Sequence, residues 1–585
     1  MSPIPAARRF PWENVLTSTA LIAVARAALV AAQDWYWARG LHALAVNSVA
    51  RNVLSALPLA FAACALVALA PRFRRLHLLA MVAFAAFAYL YLTGRLPTDS
   101  RPGLRTLDMP LAHAGAALLA IGCALLNAGL GPSARPAPVL SLASMALVLC
   151  AILVRAGGLR TSNAERELPN VVLISLDTVR ADRLGGRGTS PNIDRFFGTA
   201  SVQFRAAFAP QPFTLVSHAS LMTGLDPYAH GVGASTALAP EIPTLAEDLG
   251  RAGYVTLGEV DWIEWLHPRY GFARGFQHYA QRQGTARTRM PALLDLLDDL
   301  GDERFFLFLH FYDAHSDRGA LAYDSDPADR HALGASLDGA LREEPGGGTG
   351  LLIAANQGEV VLTESERAEI VRQYDAGVRT LDRALGPLLE RLESFLDDTV
   401  VILVSDHGEE LFEHEKWLHS QLYDESVHVP LLLRLPGRSG VRASDEVAGL
   451  IDVAPTVREL CGLAPRNDAV QGRSLVPRFD GANDARDAHV LLEWGGLGLR
   501  TREWKLIERT DGRQLFHLIS DPAERVDLAR SPHVAAELGR LSGVLQAEAA
   551  RSRALRDTFD APPLDPLPAE DREALRALGC AGGVD

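Results

Sequence analysis

Asn170-Val-Val-Leu-Ile-Ser-Leu-Asp177 is the stretch on which the fold turns. Its apolar residues run on without polar alternation. A strand of that kind buries both faces, as in the middle of a parallel sheet covered by helices on each side. Arg304-Phe-Phe-Leu-Phe-Leu-His310 and Thr399-Val-Val-Ile-Leu-Val-Ser405 have the same length and character. Helical stretches lie between them, notably 363–395, which opens with the capping-box spacing Thr363-x-x-Glu366. Strands separated by helices predict an α/β domain on a parallel sheet.

In such sheets ligands bind beyond the carboxyl ends of the strands. The first run is followed at once by Asp177, the second delivers His310, Asp313 and His315, and the third Asp406 and His407. One Asp after a strand is ordinarily a cap or turn residue. Carboxylates and imidazoles at three exits on one edge predict a metal or phosphate-type site. A fourth segment, Pro212-Phe-Thr-Leu-Val-Ser-His-Ala-Ser-Leu-Met-Thr-Gly224, reads as a loop passing into a helix, with Thr214, Ser217, His218 and Ser220 near its start. The free N–H groups and positive end of such a helix attract an anion and favour an alkoxide. Taken alone, Thr214 reads as the N-cap. Residues 315–363, rich in Gly, Asp and Ala, are expected to form a long mobile loop over the site. Strands are expected at 498–507 and 513–518, then a helix over 532–553.

Farther out, the composition changes. The whole chain carries 57 Lys+Arg against 70 Asp+Glu, a net charge of -13, which excludes a nucleic-acid binder working by bulk electrostatics. Residues 1–160, however, hold 14 Arg, no Lys and 4 acidic groups. Apolar runs at 15–33, 53–70, 76–94, 110–130 and 139–154 each approach the ~20 residues needed to cross a bilayer. Four or five spans are expected, with five favoured. With the N-terminus inside, five spans deliver the rest of the chain to the outer face and four leave it in the cytoplasm; the arginines do not decide between these. The 5 Cys, three of them in apolar runs, exclude a disulfide scaffold and a cysteine-clustered zinc site.

The blocks Asn170–Gly185, Thr214–Gly224 and Ser405-Asp-His-Gly408 with Glu413-His414 and His419 resemble, in order, the signature blocks of the sulfatase family within the alkaline phosphatase superfamily. The likeness extends through Asp194, Gly271-Phe272, Gly275-Phe276, the 312–315 block, Tyr423-Asp424-Glu425, Asp452-x-x-Pro455-Thr456, Trp504-Lys505-Leu506-Ile507 and 575–579, and so covers nearly all of 168–585. It implies an alkaline-phosphatase-like parallel-sheet sandwich with a small C-terminal sheet subdomain, preceded by an α-helical transmembrane region. The corresponding boundaries are 1–156 for the membrane region, 157–168 for a linker, 169–480 for the catalytic domain and 481–585 for the subdomain and tail.

The departures from the family pattern are informative. Formylglycine sulfatases open their nucleophile motif with Cys or Ser, with Pro two positions later and Arg four later; here those positions hold Thr214, Val216 and His218. Threonine cannot become formylglycine. Thr178 stands where calcium-binding sulfatases carry a second Asp, and Asp406-His407 where they often have Asp-Asn. The pattern resembles a Thr-nucleophile branch that includes membrane-anchored phosphoglycerol and phosphoethanolamine transferases. The resemblance implies one divalent cation on Asp177, Thr214, Asp406 and His407, with mixed oxygen and imidazole donors favouring zinc or manganese over calcium. It implies that His315 and His419 contact the ester oxygens or protonate the leaving group, and it adds His218 to the catalytic set. His310 and His414 are further candidates; Lys416, Arg180 and Asp182 are expected at the surface or in loops. The expected function is a membrane-anchored, metal-dependent hydrolase or transferase of a phosphate or sulfate ester, phosphate favoured. The alternatives are a sulfatase and a catalytically silent interaction protein. The expected partners are the bilayer and an anionic ester, from a lipid or envelope polymer, at the outer face of a bacterial inner membrane.

Overall fold

The computed structural model describes residues 168–565, apart from 302, 320, 337–347, 467–469 and 481–488. The five apolar runs, the linker up to 167 and the 575–579 block lie outside the described residues, among which no helix is long and apolar enough to cross a membrane.

Strand β1 (Asn170–Leu176) is buried at all seven positions. Val171 and Leu173 enter one apolar layer, Val172, Ile174 and Leu176 the other, so the unalternated run fills two cores at once. Burial of each such side chain is worth about 1.5–3 kcal/mol. The other strands of the sheet are β2 (Ala200–Phe208), β3 (Val255–Asp261), β4 (His278–Arg282), β5 (Phe305–Phe311), β6 (Thr399–Ser405), β9 (Leu431–Arg434) and β10 (Gly440–Gly449); β7 (Glu410–Leu411) and β8 (Trp417–Leu418) form a separate hairpin. The order is β10-β2-β9-β6-β1-β5-β3-β4. β1 lies parallel to both β5 and β6, with Leu176 level with Phe311 on one side and Ser405 on the other. The residues that follow therefore emerge on one edge.

Two expectations need correction here. The sheet is mixed, because the short β9 runs antiparallel to β2 and β6. Residues 315–363 are not a structureless loop: they contain helices Pro327–Ala332 and Gly348–Gln357, and Tyr323 among them is fully buried.

The helices that matter to the site are α1 (Thr214–Thr223), α2 (Ala286–Asp299), α3 (Glu364–Leu392) and α4 (Ala535–Arg556). The capping box of α3 forms, with the Thr363 side chain accepting from the Glu366 N–H and the Glu366 carboxylate accepting from the Thr363 N–H. Its buried face, Ile370, Tyr374, Leu381, Leu385, Leu388 and Leu389, has helical spacing and lies against the β1 layer. α1 ends in Gly224 at φ 74, a left-handed cap that a side chain would strain.

A small antiparallel sheet follows, β11 (His489–Glu493), β12 (Leu497–Thr501), β13 (Trp504–Arg509) and β14 (Gly512–His517), packed under Leu541, Leu545 and Ala549 of α4. The stretch expected as one strand over 498–507 is two, because the chain reverses between Thr501 and Trp504. Buried Lys505 of β13 bonds Asp424 at 2.8 Å and Glu524 at 2.9 Å, and Arg500 of β12 bonds Asp424 at 3.0 Å. Although burial opposes it, these cations hold the Asp424 carboxyl far below the usual range. The small sheet thus clamps the segment that follows His419.

Candidate active site

Asp177 leaves β1 with its N–H on the Phe311 carbonyl of β5. The next residue, Thr178, has φ 59, a backbone state that costs a β-branched residue about 1–3 kcal/mol. The turn is held by Tyr374 of α3, whose hydroxyl donates to the Thr178 carbonyl at 2.7 Å. The Thr178 hydroxyl donates to the Asp177 carbonyl at 2.7 Å, and its N–H points to Asp406 Oδ1 at 3.3 Å. The threonine in place of a second Asp thus supplies a backbone donor and no ligand.

At the exit of β6, Asp406 Oδ1 also accepts the His407 N–H at 2.9 Å. His407 Nδ1 faces the Gly408 carbonyl at 2.9 Å and must carry the proton there, which leaves the Nε2 lone pair facing inward. That Nε2 lies 3.6 Å from Asp406 Oδ2 and 4.0 Å from Asp177 Oδ1. The backbone is crowded at this point: a Cβ on Gly408 would stand 2.1 Å from the Glu425 carbonyl oxygen.

Thr214 completes the group. It is the first residue of α1 rather than its cap, a role taken by Phe213, which offers no side-chain acceptor. Its Oγ1 is released toward the site, 3.4 Å from Asp177 Oδ2 and 3.3 Å from His407 Nε2. The residue is 3% exposed.

These residues fit a divalent cation. Oδ1 of Asp177 and Oδ2 of Asp406 are buried with no hydrogen-bond partner among the described residues. One donor atom from each of Asp177, Asp406 and His407 lies within 4.8 Å of the others. Burial and then Asp406 push the Asp177 carboxyl well above its usual range. Burial pushes Asp406 the same way, but His407, His218 and His310 hold it below. Paired buried carboxylates of this kind need a proton or a cation between them. A second close group, His218, His310 and Asp406, is different. His218 Nδ1 donates to the Thr214 carbonyl at 2.8 Å and its Nε2 accepts from Ser175 at 2.9 Å, so neither nitrogen is left for a cation. His218 therefore sits beneath Thr214 and braces α1 against β1. Burial lowers its pKa to about 4.

Across the cluster stand His315 and His419. His315 is stacked on Tyr312 and its Nδ1 meets Asp317 Oδ1 at 2.7 Å; His419 Nδ1 meets Glu409 Oε2 at 2.9 Å, and Tyr323 donates to Glu409 Oε1 at 2.5 Å. The two imidazoles have centroids 5.5 Å apart, and His419 is 4.5 Å from His407. Burial opposes a charge on His315, but Asp317, then Asp177 and Glu409, raise its pKa to about 9. The structure thus brings together Asp177, Thr214, His315, Asp406, His407 and His419. His414 is placed apart, stacked on Tyr423 and bonded to Glu425 and the Glu524 carbonyl. Lys416 is half-buried and bonds the Asn356 carbonyl, and Asp182 is exposed. Arg180 is not a surface residue. It is 8% exposed and spans the Glu409 carbonyl at 3.0 Å and Glu413 at 2.5 Å, bracing the loop that carries Glu409.

The profile of the family described as Sulfatase matches residues 169–463. The chain belongs to the sulfatase family. The family's enzymes are hydrolases that bind a divalent metal, and the cluster supplies His and Asp groups able to hold one. A second profile, described as N-sulphoglucosamine sulphohydrolase, C-terminal, matches 412–550. Arylsulfatase K of Canis lupus familiaris is 33% identical over 187 residues, 28% of this chain and 35% of that protein. The choline-sulfatase of Rhizobium meliloti (strain 1021) is 32% identical over 186 residues, 29% and 35% of the two chains. The chain thus spans about a third of the length of these relatives. Among solved structures, a sulfatase-like protein from Bacteroides thetaiotaomicron superposes with TM-score 0.55 at 20% identity, covering 68% of this chain and 96% of that one. The phosphonate monoester hydrolase of Silicibacter pomeroyi gives TM-score 0.53 at 20% identity, covering 66% and 96%. These likenesses establish the α/β fold with its small antiparallel C-terminal sheet.

Proposed function

We propose that the chain is a metal-dependent hydrolase of anionic esters, phosphate esters above all, in which Thr214 is the nucleophile and a membrane anchor holds the catalytic domain outside the cytoplasm. The observation that carries this reading is the Thr214 hydroxyl, 3.4 Å from Asp177 and 3.3 Å from His407 at the N-terminus of α1. A divalent cation held by Asp177, Asp406, His407 and the Thr214 oxygen would supply the positive charge that lowers the hydroxyl pKa and polarises the ester oxygens. The first-turn N–H groups of α1 add a fixed positive end. His315, protonated near neutral pH, holds its proton for a non-bridging oxygen or the leaving group, and His419, oriented by Glu409, faces the same space.

Threonine separates phosphate from sulfate. In a formylglycine enzyme the sulfated hydrate collapses through its second hydroxyl and expels sulfate with no second attack at sulfur. Thr214 has no second hydroxyl, so its sulfate ester would persist as an alkyl sulfate. Its phosphate ester is resolved by in-line attack of water, or of an acceptor alcohol, at phosphorus. The second reading, sulfate ester hydrolysis, is favoured by the likeness to arylsulfatase K and choline-sulfatase. The apolar runs before residue 156 support the anchor, and the resemblance to membrane-anchored transferases supports a lipid or envelope substrate.

The deciding experiment compares aryl phosphodiester, phosphomonoester and aryl sulfate cleavage with zinc, manganese or calcium, beside Thr214→Ala. Multiple turnover on phosphate esters that vanishes in Thr214→Ala is expected. Multiple-turnover sulfate hydrolysis would transfer the reading to a sulfatase, and no turnover on any ester with metal bound would leave the interaction-protein alternative.

A further inference from the structure

We propose that His310 is a positioning residue: its Nε2–H holds one carboxylate oxygen of Asp177 so that the other is presented to the divalent cation. The inference rests on the cation reading of the site.

His310 lies near the end of β5, beside Ser175 of β1 in the register, and is fully buried. Its Nε2 is 3.2 Å from Asp177 Oδ2. The two oxygens of Asp177 are therefore inequivalent. Oδ2 faces His310 and Thr214, whereas Oδ1 has no hydrogen-bond partner and looks toward His407 at 4.0 Å. Two acceptors cannot face each other at 3.2 Å in a dry interior, so the imidazole proton sits on Nε2. Nδ1 has no hydrogen-bond partner among the described residues; Asp261 Oδ2 is 4.0 Å away.

The backbone that carries the ring is held from behind. Both terminal nitrogens of Arg289, on α2, reach the His310 carbonyl at 3.3 Å, and the same guanidinium is paired with Asp261 at the end of β3. The Tyr312 N–H donates to Asp261 Oδ2 at 3.0 Å, and Arg318 stands 3.4 Å from Oδ1. The His218 ring meets His310 edge-on with centroids 5.1 Å apart. A buried imidazole on a backbone anchored by an arginine that is itself paired with an aspartate, with its one usable proton on a ligand's far oxygen, is arranged to select the oxygen that the ligand turns to the metal.

The test is metal affinity. The full-length chain, purified in mild detergent and stripped of metal, is titrated with Zn2+ against a chromophoric chelator in wild type, His310→Gln, His310→Asn and His310→Leu. Outer donors of this kind are worth about 10–100-fold in metal affinity, and that loss is expected in His310→Leu. His310→Gln, whose amide N–H can reach the Nε2 position, should bind nearly as tightly as wild type. His310→Asn, whose amide reaches only the Nδ1 position, should bind as weakly as His310→Leu while its metal-free form melts like metal-free wild type; it replaces the leucine variant if that one does not fold. Equal affinity in wild type and His310→Asn, or equal weakness in His310→Gln and His310→Asn, would overturn the inference alone. A wild-type chain that binds no Zn2+ would overturn the cation reading and the inference together.

Discussion

Asp317→Asn separates the charge on His315 from its position. The pair is 2.7 Å apart, with His315 buried and the Asp317 side chain 38% exposed. His315 is raised from its ordinary 6.5 to about 9, which at about 1.4 kcal/mol per pKa unit is roughly 3 kcal/mol of net preference for the protonated form, left after its neighbours have overcome the cost of burial. Asp317 is partly open to solvent, so screening reduces its share to about 1–2 kcal/mol. The variant's His315 should then titrate about 1 unit lower. A cation on Asp177 cancels that residue's smaller contribution, so His315 titrates lower in the loaded enzyme than in the metal-free one in both chains. Because the folded pKa is raised, the stabilisation is fully present below 6.5 and is lost as pH rises through 9. Urea unfolding of the metal-free chains should accordingly show the largest gap between wild type and Asp317→Asn from 3.8 to 6.5, fading as pH rises through 9 and as it falls through about 2, where Asp317 takes up a proton. In the loaded enzyme, the alkaline limb of kcat/KM should move down by about 1 unit while the acid limb stays. An alkaline limb that stays in place with activity retained would refute a protonated His315 in the reaction.

Asp406→Ala removes an oxygen from the cation and the acceptor of two N–H groups, and should abolish stoichiometric metal binding measured by elemental analysis. Gly408→Ala forces a Cβ to 2.1 Å from the Glu425 carbonyl, and should lower the unfolding free energy by about 3 kcal/mol or more in denaturant melts. A reporter active only outside the cytoplasm, fused after Asp585, should be active if five spans precede the catalytic domain; silence there would favour four.

What could be read in advance was whatever the local chain states by itself. β1 and β6 were legible to the residue because a strand buried on both faces has no reason to alternate. β3 was not, because Glu259 interrupts it. That carboxylate is tolerated near the edge of the sheet through His278 at 2.6 Å and Arg282 at 2.9 Å, both on β4, a pairing no local pattern reveals. Asp261 and its contact with the site were hidden with it. The six residues gathered around the cluster were readable from strand exits and the family resemblance, while their supports were not. Glu409 stands only two residues beyond His407 and Asp317 two beyond His315, so both had a positional signal. Tyr323 and Arg180 had none, since the first lies in a stretch of loop-like composition and the second in a turn where Arg is ordinarily solvated.

The departures from the family pattern acquire a common physical sense once they are placed. Each removes a charge or imposes a fixed orientation at the same few ångströms. Thr178 withholds a carboxylate and gives Asp406 an N–H; His407 turns its Nε2 inward, with Nδ1 held on the Gly408 carbonyl; His218 puts a neutral ring under Thr214. A divalent cation held there would have its charge balanced by the two carboxylates, so the ligand set itself would neither attract nor repel an anionic ester. The attraction falls to the N-terminus of α1 and to His315, whose charge is maintained by a carboxylate partner that solvent can reach. A site built this way gains its preference for anions from the residues across from the metal rather than from the metal ligands. For that reason Asp317, which touches neither ligand nor nucleophile, should weaken substrate affinity when neutralised while leaving the cation in place.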